Sequence, residues 1–177
     1  NQQGFSQFNH VGSVRDYFIE QSYGMLTIDF DVVGPITMPQ TREYYGSSPN
    51  SNLDDRAPEM IIEALKLADS ELNYADYDWD GNGEVEQIYV IFAGVTYSDR
   101  QGYIWPHQWY LSAAKSNGCG AGRQRLDGVY IDAYAVSQEL ADASTPMGIG
   151  TACHEFSHCL GYPDVYDTSY SGGTAGQ

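Results

Sequence analysis

The stretch TACHEFSHCLGYPDVYD, Thr151 to Asp167, sets two imidazoles, a glutamate, a glycine and a later aspartate at intervals that suit a catalytic metal. His154 and His158 are four residues apart, so on a helix both rings leave one face and can reach a single ion. Glu155 stands beside the first ligand, where it can touch an activated water without taking a coordination position, as a general base must. The helix has to stop if the chain is to return a third ligand. Gly161 tolerates the left-handed conformation found just after a helix end, and Pro163 cannot continue a helix. Asp164 is the first carboxylate after that turn and completes HExxHxxGxxD, with Asp167 as the competing third ligand. Three protein ligands leave a fourth position for water, which separates a catalytic zinc from a structural one.

At these residues HEFSHCLGYPDVYD resembles the signature of the immune inhibitor A family of secreted bacterial metalloproteases, and SVRDYF, SYG and YYG are similar to that family's pattern over the rest of the chain. The resemblance implies a metzincin-like zinc endopeptidase that hydrolyses extracellular proteins, at the bacterial surface or beyond it. Within the broader metzincin pattern a third histidine is commoner and aspartate marks a variant branch. Metzincins also carry a methionine turn downstream of the third ligand, and this chain has no methionine after Met147. The chain either stops short of that turn, the reading preferred here, or builds it differently. Residues 1–177 are accordingly expected to form one catalytic domain cut short at both ends, without its signal peptide.

A second cation site is suggested upstream. Asp76, Asp78, Asp80, Gly81, Asn82 and Glu84 occupy positions one, three, five, six, seven and nine of an EF-hand-like calcium loop. The twelfth position is Gln87 instead of the bidentate glutamate, although Glu86 could substitute. A plain acidic turn built on Asp80-Gly81 and Asn82-Gly83 would need no metal. Like-charge repulsion among so many carboxylates favours a structural calcium. The family resemblance includes a turn similar to DYDWDGNGEVE.

Two further residues are candidates for the cleft. His107, among Trp105, Trp109 and Tyr110, is either a packed, hydrogen-bonded histidine or part of the cleft wall, and IWPHQWY resembles a recurring word of the family. Tyr166, close to the ligands, could polarise a scissile carbonyl.

The elements that must hold these groups follow from periodicity. Ser13 and Asp16 cap a helix that runs to Ser22, with Gly24 at its end. Leu26, Ile28, Phe30 and Val32 alternate with polar residues, the period of a strand with one buried face. A helix from Pro58 to Leu72, with Asp54 or Asp55 near its cap, presents Ile61, Ile62 and Leu65 as an apolar stripe. The unbroken run Ile88 to Phe92 reads as a strand in the middle of a sheet. Ile104 to Leu111 and Val129 to Val136 are further strands, with a loop over Ser116 to Gly122 between them. The ligand helix should start near Thr145-Pro146 and reach Leu160, burying Cys153 and Phe156 and leaving both histidines outside the stripe. The fold class is therefore α/β or α+β: a twisted mixed sheet, two long helices and a cleft across the ligand helix.

Bulk properties exclude some classes. A chain of 177 residues, 42% hydrophobic, suits one domain with a sizeable core. A formal net charge of −16 with 8 basic residues argues against nucleic acid or anionic membrane as a partner. No apolar run is long enough to span a membrane. Of three cysteines, Cys119, Cys153 and Cys159, at least one must be unpaired within the chain, and none has the spacing of a zinc ligand pair. The competing function is a calcium-stabilised binding or surface module that keeps a zinc site without catalysis. Oligomeric state has no signature in the sequence.

Overall fold

Ser13 and Asp16 start the first helix as a reciprocal pair: the Ser13 hydroxyl accepts from the Asp16 backbone N–H at 3.2 Å, and the Asp16 carboxylate accepts from the Ser13 N–H at 2.9 Å. This closes two of the orphan donors of a helix end, as the sequence predicts. The computed structural model describes residues 12–47, 55–96 and 104–165. Helix α1 is Val14–Gln21, α2 is Arg42–Tyr45 and α3 is Ala57–Ala68. A 3-10 turn, Tyr74–Tyr77, follows, then β1, Ile88–Val95, and β2, His107–Tyr110. Next come α4, Leu111–Ser116, and the strands β3, Gln124–Leu126, β4, Val129–Ile131, and β5, Ala133–Leu140. Helix α5, Ile149–Cys159, carries the HExxH residues.

The main sheet is mixed, in the order β1-β5-β2, with β1 parallel and β2 antiparallel to β5. The centre is thus β5, and the expected place of β1 in the middle is corrected to an edge among the described residues. Ile88, Val90 and Phe92 of β1 do face the main core, and Tyr89 packs toward Phe18, Ile28 and Phe156. Ile91, however, is exposed. An unbroken apolar run records cover on both faces for only the first half of this strand. The main core joins the stripe of α3, Met60, Ile61, Ile62 and Leu65, to Tyr134 and Val136 of β5. Helix α3 ends at Ala68, before Leu72, and Arg56, directly after Asp55, stands at its cap without a side-chain bond.

The segment from Leu26 to Val32 joins no ladder among the described residues, contrary to its strand-like period. Its alternation is real packing without pairing. Ile28 is buried, and the Phe30 ring meets Phe156 of α5 edge-on at 5.4 Å, but Val32 is exposed. A period of two specifies which side chains go inward, whereas a strand also needs a neighbour for its N–H and C=O groups.

Two longer strands predicted from the sequence prove shorter or divided. Pro106 offers no N–H, so pairing starts at His107 and not at Ile104. The chain turns into α4 at Leu111, a helix the sequence reading missed. Asp132 then splits the expected strand Val129 to Val136 into β4 and β5. Its carboxylate accepts from the Ser112 N–H and hydroxyl, both at 2.7 Å, and its carbonyl accepts from the Leu111 N–H at 2.9 Å. Helix α5 starts at Ile149, later than Thr145-Pro146, because the preceding residues fold back on β5. The Asp142 carboxylate accepts from the N–H groups of Ser144 and Thr145, and the Met147 N–H reaches the Glu139 carbonyl at 2.7 Å. No helix among the described residues is long and apolar enough to cross a membrane.

Candidate metal centre

Helix α5 buries Cys153, Glu155 and Phe156, and its contacts with β5, β2 and α1 fix its axis. His154 and His158, one turn apart, are half-buried, and the chain reverses after the helix so that Asp164 comes back to them. Gly161, at φ 88°, makes that reversal in the left-handed region expected of it. The two imidazole Nε2 atoms are 3.2 Å apart, and the Asp164 Oδ1 lies 3.4 Å from that of His154 and 3.2 Å from that of His158.

Three donor atoms so close need a reason. Ligands about 2.0–2.1 Å from a tetrahedral zinc stand roughly 3.3–3.4 Å from one another, so the spacing fits one ion among the three. The tautomer agrees. His158 Nδ1 lies 2.7 Å from the Tyr162 carbonyl, which can only accept, so the proton sits on Nδ1 and the Nε2 lone pair turns toward the cluster. The residues therefore fit a zinc ion. Asp167 and Tyr166 lie outside the described residues.

Glu155 is only 6% exposed, beside this cluster but outside the ligand triangle. Burial pushes its pKa up to about 7, and Asp164 adds to the rise, while His158 and the Gln108 backbone amide pull it down. A carboxyl poised near neutrality can both take and return a proton. A cavity of about 400 Å³ opens in front of it, lined by Trp105, Pro106, Gly150, Thr151, His154 and Glu155. His107 stands behind this wall. Its Nδ1 lies 2.6 Å from the Trp105 carbonyl and its Nε2 lies 3.0 Å from the hydroxyl of the buried Tyr134, and burial lowers its pKa. Both ring nitrogens are engaged, so His107 braces the wall instead of offering a ligand.

The three cysteines are free thiols. Burial raises the pKa of Cys153 to about 11 and of Cys159 to about 12, which keeps both protonated and unsuited to metal. Cys119 is buried, with its Sγ 3.7 Å from Asp55.

The acidic turn gathers only part of its predicted set. Carboxylate oxygens of Asp78, Asp80 and Glu86 lie within 4.8 Å of one another. The remaining candidates have other bonds: Asp76 accepts from the Asn73 amide at 2.9 Å, Asn82 from the Glu84 N–H at 2.8 Å, and Glu84 pairs with Arg123 at 3.0 Å. Asp78 Oδ1 is buried without a hydrogen-bond partner among the described residues. The turn is anchored on the β3-β4 hairpin, where the Tyr130 N–H and carbonyl bond Gly83 and Val85 at 2.8 Å each. Sequence reasoning missed Gln87, whose side-chain N–H donates to the Cys159 carbonyl at 3.1 Å, and Gln108 and Tyr162, which act through their backbones. The one available signal was that Gln87 fails as a calcium ligand.

Comparison with known proteins shows the family. The chain is 28% identical to Immune inhibitor A of Bacillus thuringiensis subsp. alesti over 187 aligned positions, covering 92% of this chain and 26% of that protein. It is 30% identical to the Pre-pro-metalloprotease PrtV of Vibrio cholerae serotype O1 (strain M66-2), covering 90% of this chain and 19% of that protein. The chain thus spans about a quarter or less of the curated relatives it matches. The model of the immune inhibitor A peptidase M6 catalytic domain matches residues 1–176, and with nearly the whole chain covered the protein belongs to that family.

Proposed function

We propose that this domain is a zinc-dependent endopeptidase of the metzincin-like kind that cuts extracellular proteins. The convergence of His154, His158 and Asp164 beside a buried Glu155 carries the reading. Held by those three residues, a zinc ion would supply Lewis acidity, lowering the pKa of water and polarising a peptide carbonyl. The protein's own groups do the rest. Glu155 takes the proton from the attacking water and delivers it to the leaving nitrogen, a transfer suited to its raised pKa. Among the described residues β2 is an edge strand beginning next to the cavity wall, so an extended peptide can add to it as a further strand. The relatives' names, a metalloprotease among them, support the same reaction.

Asp78, Asp80 and Glu86 hold calcium in this reading, and the unpartnered, buried Asp78 oxygen supports a cation there. Its role is structural.

Metal analysis together with hydrolysis of a quenched casein substrate tests the proposal. About one zinc per chain is expected in both wild type and Glu155→Gln, with cleavage reduced about 10²–10⁴-fold or more in the variant. Loss of zinc in the variant would make Glu155 a ligand and overturn its assigned role. Zinc bound without any wild-type cleavage would instead favour a calcium-stabilised binding module.

A further inference from the structure

The end of α5 leaves backbone carbonyls that the helix itself cannot satisfy. Three of them are met locally. The Leu160 N–H donates to the Phe156 and Ser157 carbonyls at 3.2 and 3.0 Å, the Gly161 N–H to His158 at 2.9 Å and the Tyr162 N–H to Ser157 at 3.1 Å. The Cys159 carbonyl is met from far along the chain, by the side-chain amide of Gln87 at 3.1 Å.

We propose that Gln87 is a positioning residue for the metal centre: its amide holds the last carbonyl of α5 and so fixes the turn that presents His158 and Asp164. This rests on the zinc reading above.

The same turn carries the Tyr162 carbonyl that sets the His158 tautomer, and it leads directly to Asp164. Gln87 is a suitable anchor because its own backbone is held on both sides. Ahead of it, the Glu86 N–H donates to the Tyr77 carbonyl at 3.3 Å; behind it, Ile88 enters the β1 ladder opposite Tyr134. The other end of the amide points to a task and not to filler. Gln87 Oε1 is buried without a partner among the described residues, a cost that a methionine or leucine of similar volume would avoid. The Nε2 bond to the Cys159 carbonyl offsets it.

The test is the zinc dissociation constant of purified wild type, Gln87→Met and His158→Ala, measured by competition with a chromogenic chelator. Visible spectra of the cobalt-loaded proteins and melting of the metal-free proteins accompany it. Gln87→Met keeps the shape and loses the donor. It should bind zinc about 10–100-fold more weakly and shift the cobalt spectrum, while its metal-free melting midpoint stays near that of wild type. Zinc affinity within about twofold of wild type and an unchanged spectrum would overturn the proposal and leave the zinc reading intact. If wild type and His158→Ala bound zinc equally poorly, the zinc reading itself would fail, and this inference with it. Should Gln87→Met not fold, Gln87→Glu, which replaces the donor by a charged acceptor of equal size, is read by the same criteria.

Discussion

Two turns of this molecule gather three cation-seeking groups each, and they do so in opposite ways. In the acidic turn the groups are carboxylates on a loop, and all three already serve the loop's own backbone: Glu86 accepts from Trp79 and Asp80, Asp80 from the Asn82 N–H and Asp78 from the Gly83 N–H. At the end of α5 two imidazoles come from a helix, their spacing is set by the helical period, and the third group, Asp164, is returned by a glycine turn. Oxygen ligands on an adaptable loop suit calcium, which accepts irregular geometry. Nitrogen donors on a fixed frame suit zinc. The contrast teaches that the two sites differ in donor type and in what sets the donor spacing, loop backbone in one and the helical period in the other.

The sharpest way to break the comparison is His158→Ala. Zinc content and peptide cleavage should both fall to background, while the calcium-dependent rise in melting temperature stays; elemental analysis and paired melting curves report the two. A variant that kept zinc would remove His158 from the ligand set.

The reciprocal change, Asp78→Asn with Glu86→Gln, should leave zinc stoichiometry intact and abolish stabilisation by calcium. In wild type a hundredfold excess over the dissociation constant contributes about 2.7 kcal/mol, or roughly 5–10 °C in melting midpoint for a domain of this size. Calorimetry with and without calcium measures it. An equal calcium shift in wild type and variant would mean that the acidic turn needs no cation.

A smaller effect probes the main core. Tyr45 is 1% exposed, hydrogen-bonded to Glu63, and its pKa is pushed up to about 12 by burial and by that carboxylate. The neutral phenol is favoured in the folded state, so its contribution is complete below about pH 10, the unfolded value, and is lost as pH rises toward 12. Denaturant midpoints should therefore decline across that window, and less so in Tyr45→Phe. Identical decline in both proteins would assign the loss to other groups.

Much of the candidate metal centre was legible because its parts are local. His154, Glu155, His158, Gly161 and Asp164 are read from helical spacing and one turn, and neither depends on where the rest of the chain goes. The family too was readable from these residues and a few words elsewhere. Topology was not. The run Ile88 to Phe92 could not reveal that β5, from far downstream, would take the central place, nor could the alternation over Leu26 to Val32 reveal whether a partner strand existed. Leu111 to Ser116 was missed as a helix because its start depends on Asp132, a contact distant in sequence. Gln87 was noticed only for what it could not do, and its bond to Cys159 became visible once β1 and α5 were side by side.

The closeness of His154, His158 and Asp164 along the chain has a consequence for how the protein folds. Drawing them together closes only a very short loop, so little chain entropy stands in the way even before the sheet has formed. An unfolded chain would then retain some grip on zinc, and binding to the unfolded form subtracts from the stabilisation that affinity for the native form would give. In the zinc reading, the ion should thus raise the melting temperature less than its native-state affinity alone implies.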